Sequence, residues 1–153
     1  MAQDLTFIKI GNMEKVKRAY YYFFYKIYKS IEYTSEIGGG KFWTDFKAGV
    51  VVSALEVWLI LALINYYKIF INKFYDLNKI FFFSIGSTII IINIIAFVFS
   101  DKWKEYNEEF DQLSKEKNIK GGLVVWTIIV FIILNLIFSF YLMSQIDWSQ
   151  YRK

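Results

Sequence analysis

AGVVVSALEVWLILALINYY, residues 48–67, holds a single acidic or basic side chain, Glu56, in twenty positions. At about 1.5 Å per residue a helix of this length reaches roughly 30 Å, the thickness of a bilayer's hydrocarbon core. Phe42 and Trp43 precede the stretch and Tyr66 and Tyr67 close it, which sets amphipathic aromatics at both expected interfaces. Two further blocks, Ile80 to Phe99 and Gly122 to Met143, contain no acidic or basic residue at all. The fold expected is therefore an all-α integral membrane protein with three transmembrane helices. Residues 48–143 hold the transmembrane region and a helical loop over 100–121, and 144–153 form a short tail.

The average composition supports the same reading only through its segregation. Of 153 residues 56% are hydrophobic and 21% charged, yet the charges lie almost entirely outside the three blocks. The chain has no Cys and no His. Disulfides, thiolate or imidazole metal sites, and Ser-His or Cys-His nucleophile pairs are excluded with them. No P-loop, nucleophile-elbow or EF-hand pattern occurs, and the GGGK at 38–41 lacks the P-loop spacing. A non-enzymatic protein without metal or cofactor is expected. The absence of Pro predicts straight, uninterrupted spans.

Residues 1–47 read as an amphipathic segment expected on the cytoplasmic side, since MAQDLTFIKIGNMEKVKRAY lacks the apolar core and cleavage site of a secretory signal. From Met13 to Tyr33, Lys15, Arg18, Lys26 and Lys29 fall on one helical face, and Val16, Tyr20, Phe24, Ile27 and Ile31 on the other. Such a helix suits the plane of an anionic lipid surface, with the lysines snorkelling toward the head groups. The alternative use of its apolar stripe is packing on the protein's own loop. Nucleic acid is not expected, because the cations are interleaved with tyrosine and phenylalanine beside a membrane anchor. Gly38, Gly39 and Gly40 are expected to end the helix in a flexible joint.

Between the second and third blocks, Trp103, Tyr106, Phe110 and Leu113 recur at helical steps, with Lys104 and Glu108, and Asp111 and Lys115, four apart. A helix leaving the bilayer is expected there, stopped by Gly121 and Gly122. Lys and Arg number eight before the first span, three and five in the two connections, and two in the tail. The positive-inside rule then puts the N-terminus and the second loop in the cytoplasm and the C-terminus outside, in a cytoplasmic (inner) membrane.

Glu56 is the chemical oddity, because a carboxyl among lipid tails is costly and needs a partner or a task. Counting helical rise from the inner ends puts Glu56 and Asn93 at roughly 12 and 9 Å depth. Thr127 lies in the same half of the third span, so Glu56, Asn93 and Thr127 are expected to form one intramembrane polar cluster. Asn135 and Ser139 share a face fit for interhelical hydrogen bonds. Ser84, Gly86, Ser87 and Thr88 are small or hydroxylated residues that let another helix approach closely, a weak helix-contact signal and not a dimer motif. These features fit a subunit or scaffold of a membrane complex, partnered by other membrane proteins or by its own copies. The alternative is an oligomeric pore or permeabilising protein, holin-like or a defence effector, lined by Ser53, Glu56 and Asn65.

Overall fold

A computed structural model of the chain describes residues 2–37, 43–75 and 77–151, with side chains over 13–35 in the first of these. Gly38 to Gly40, Phe42 and Lys153 lie outside the described residues. Among the described residues five α-helices run in order: α1 Ala2–Ile37, α2 Thr44–Phe70, α3 Lys79–Ile94, α4 Lys102–Asp111 and α5 Lys115–Ser144. No strand occurs among the described residues. Three helices are long and apolar enough to cross a membrane: α2 with 27 residues, α3 extended to Phe99 with 21, and α5 with 30. The protein is therefore membrane-embedded.

α2 is the central element. α3 packs along one side of it and α5 along the other, with little direct contact between those two. At the end of the bundle where α2 begins, α1 lies against α2 and is covered on its far side by α4. Phe24, Tyr25 and Ile27 are buried there together with Val52, Leu55, Phe97, Trp103 and Phe110. The apolar stripe of α1 is thus part of the protein core, the packing alternative to a lipid surface, although Val16 at its start stays exposed. The reason is aromatic area. Phe24 stacks on Phe97 at 3.9 Å, and Tyr21 stacks on Tyr106 at 4.5 Å. Ring pairs of this kind add about 0.5–1.5 kcal/mol each beyond their burial.

Local chemistry explains the boundaries. Asn78 caps α3, its side-chain oxygen accepting from the N–H groups of Ile80 at 2.9 Å and Phe81 at 3.3 Å. Trp43, just before α2, takes the left-handed conformation with φ 55°, unusual for a bulky residue. α3 does not stay regular, contrary to the straight span that the absence of proline predicts. Its last turn, Ile95–Phe99, widens to π-helix, and Asn93 and Phe97, four residues apart, are both buried facing α1.

α4 stops at Asp111, the break falls at Gln112 to Ser114, and α5 then runs straight through Gly121 and Gly122. Ser114 is extended with ψ 146° and starts the new helix. Gly121 is needed for proximity, and neither glycine ends a helix. A Cβ on Gly121 would sit 2.7 Å from two ring carbons of Tyr22, so α1 approaches α5 where a side chain would block it.

Candidate functional site

Glu56 on α2, Asn93 on α3 and Tyr20 on α1 meet in a closed ring. The Tyr20 hydroxyl lies 2.6 Å from Glu56 Oε1 and 2.6 Å from Asn93 Oδ1, and Asn93 Nδ2 donates to Glu56 Oε2 at 2.6 Å. Asn93 is buried, and Glu56 and Tyr20 are half-buried. Burial, and next its hydrogen bond with Glu56, raises Tyr20 above the ordinary phenol range, which keeps its hydrogen in place as a donor.

Three contacts need three hydrogens, one in each. Tyr20 supplies one and the amide of Asn93 supplies one to the ring. With Tyr20 O–H and Asn93 N–H alone, one contact of the ring has no hydrogen, so the ring needs a third donor. Turning the amide over reverses the direction of the ring and leaves the count unchanged. A third donor at position 56 would give every polar atom of the ring a partner, the arrangement that low-polarity surroundings favour.

Thr127 stays outside this ring. It is exposed, and its hydroxyl donates to the Leu123 carbonyl on its own helix at 2.9 Å. Depth was matched but azimuth was not. The buried face of α5 is Val125, Ile129, Ile132 and Ser139, and Thr127, two positions from both Val125 and Ile129, points to the other side. Tyr20 takes the third place. No spacing in the sequence marks it, because it sits in the apolar stripe of α1, and only the docking of α1 brings it to Glu56.

A second set of bonds joins α2 to α5 toward the other end. Asn65 Nδ2 donates to Ser139 Oγ at 3.0 Å, and the Tyr66 hydroxyl donates to Asn135 Oδ1 at 2.8 Å. Ser139 and Asn65 are both buried. Ser53, also buried, donates to the Gly49 carbonyl of its own helix at 2.8 Å.

The four cations of the α1 face have different surroundings. Arg18 pairs with Glu109 on α4, and Lys29 with Asp111 at 3.0 Å and Glu32 at 3.5 Å. Burial pulls the Lys29 ammonium down, but Asp111 and then Glu32 outweigh it, and its pKa rises. Lys26 bonds to Asn118 Oδ1 and lies 5.5 Å from the ring centres of both Tyr22 and Tyr25. Burial lowers its pKa. Lys15 is exposed. The basic face is therefore engaged mainly with the protein's own α4 and α5. Tyr25 donates to Asp111 at 2.8 Å, and burial followed by that carboxylate pushes its hydroxyl up to about 12.

No grouping of three or more Asp and Glu side chains that could hold a metal occurs among the described residues. No protein-family model, curated protein or solved structure matches this chain. Any function has to be argued from the geometry alone.

Proposed function

We propose that the chain is a non-enzymatic multipass protein of the cytoplasmic membrane that works by assembly, as a subunit or scaffold of a membrane complex. Its N-terminal helix and α4 face the cytoplasm and its C-terminus faces out, following the asymmetry of Lys and Arg about the spans. The observation that carries the reading is the unpartnered small-residue face of α3. Ser84, Ser87 and Thr88 are exposed and, lying three and four positions apart, share one side of α3. That side, suited to close helix contact, stays open in the single chain. The polar groups on α2 and on the face of α5 toward it are instead consumed internally, in the Glu56 ring and the α2–α5 bonds.

Ser84→Leu with Ser87→Leu tests this directly. Within one chain both positions are exposed, so the substitutions leave the packing on α2 in place. The expected result is loss of assembly, read as particle mass in mild detergent, with helix content unchanged. An unchanged mass refutes the reading. Orientation is checked with single cysteines at Gln112 and Lys153, of which only the second should react with an impermeant thiol reagent on intact cells.

A second reading, an oligomeric pore, draws on the same outward hydroxyls of α3. It gains nothing from Ser53, Glu56 and Asn65, since Ser53 and Asn65 are buried and Glu56 is closed in its ring. A cation current from reconstituted protein that vanishes in Glu56→Gln at unchanged oligomeric mass would favour it.

A further inference from the structure

A cleft of about 280 Å³ opens between α1, α2 and α5. Ile27 and Ile31 form one wall, Ala54, Leu55 and Trp58 the second, and Ile129 with its neighbours on α5 the third. The volume is comparable with the lower end of small-molecule sites, about 300–1,000 Å³. Lys26 stands at one end. It also borders an adjoining recess of about 400 Å³ that includes Lys115 and Asn118 on α5. The two hollows therefore join through Lys26 and Trp126, which line both. Neither is lined by an acidic residue.

Lys26 differs from its neighbours on the α1 face. Arg18 and Lys29 have carboxylate partners on α4, whereas the contacts of Lys26 among the described residues are a neutral amide and two aromatic rings. A partly buried ammonium without a counter-charge calls for an anion. An apolar slot leading from an uncompensated cation has the chemistry of one ligand class. We propose that this cleft is a specific site for one anionic phospholipid, with an acyl chain between α1, α2 and α5 and its phosphate at Lys26 and Lys115. The site requires only that the protein be membrane-embedded, so it stands or falls independently of the assembly reading. It also differs from general surface attraction, because it needs the cleft as well as the charge. The lipid would fill the gap that α1 leaves against α5 and so hold α1 on the bundle.

Native mass spectrometry of the full chain, delipidated in mild detergent and titrated with phosphatidylglycerol or phosphatidylcholine, tests the proposal. A single tightly held phosphatidylglycerol is expected, with phosphatidylcholine retained weakly. Each lysine near a membrane surface contributes about fivefold in affinity for an anionic head group, so Lys26→Gln should weaken retention by about that factor and adding Lys115→Gln by about 25-fold. Ala54→Phe narrows the slot and should remove the adduct while leaving both lysines in place. Lys68→Gln with Lys73→Gln, at the far end of the bundle, should change nothing. Equal retention of the two lipids, adducts insensitive to Lys26→Gln, or full competition by glycerol phosphate lacking acyl chains would each overturn it. Should Ala54→Phe fail to fold, the lysine series and the competition still decide.

Discussion

Replacing Glu56 by Gln places an amide N–H where the ring needs its third donor. The introduced amide N–H can donate to Tyr20, Tyr20 to Asn93 Oδ1, and Asn93 back to the introduced amide oxygen, so all three 2.6 Å contacts keep a hydrogen. Glu56→Gln is therefore expected to be nearly silent for stability. Glu56→Ala removes two of the three contacts, and Tyr20→Phe removes a different two, leaving Asn93 Oδ1 and one carboxyl oxygen without a partner. Intramembrane hydrogen bonds average about 0.6 kcal/mol, with an upper value near 1.7, so either change should cost about 1–3 kcal/mol. The assay is the unfolding midpoint in mild detergent, followed by tryptophan fluorescence because Trp103 packs edge-on against Phe24 at 5.6 Å within the same core. The expected order is wild type, then Glu56→Gln close behind, then Glu56→Ala and Tyr20→Phe together. If Gln proves as damaging as Ala, the ring does not depend on hydrogen count and the reasoning fails.

The two glycines of α5 give a paired test. Gly121→Ala and Gly122→Ala share the same gain in helix propensity of about 1 kcal/mol, but only the first drives a Cβ into the Tyr22 ring, whereas the second meets the Lys26 chain at an ordinary 3.5 Å. Gly122→Ala should raise stability and Gly121→Ala should fall about 1–3 kcal/mol below it, as measured by denaturant titration. Tyr25 gives a pH dependence. Its hydroxyl is raised in the folded chain from the usual value near 10 to about 12, so its contribution is complete below pH 10 and is lost as pH climbs toward 12. α1 should loosen from α4 over that window, read by near-ultraviolet circular dichroism, and Tyr25→Phe should flatten the change. Asn107 Oδ1 and Trp103 Nε1 are buried atoms without a partner among the described residues, so Asn107→Leu should raise the unfolding midpoint by the equivalent of about 1 kcal/mol.

The helices were legible for a one-dimensional reason. Desolvating a charge in lipid is so costly that charges and apolar runs separate along the chain, and a twenty-residue window carries the whole signal. The stretch 48–67 falls inside α2 Thr44–Phe70, and the helical steps of Trp103, Tyr106 and Phe110 fall on α4. Gly121 and Gly122 misled because glycine marks either a helix end or a close approach, and only the position of Tyr22 distinguishes them.

Side-chain types and helical rise were likewise enough to place Glu56 and Asn93 at similar depth, since both quantities are local. Rotation about the helix axis is not local. Each residue advances about 100° around an α-helix, so Thr127 faces away from the buried side of α5 while Ser139, twelve positions on, shares the face that meets Asn65. Tyr20 reaches Glu56 across 36 positions of sequence, and Lys26 remains without a carboxylate while Arg18 and Lys29 find theirs on α4. The sequence by itself determined that three apolar helices and a basic, aromatic N-terminal helix exist. The tertiary structure alone decided which polar groups complete one another, because it fixes the rotation and docking of α1, and hydrogen bonds a few ångströms long depend on both.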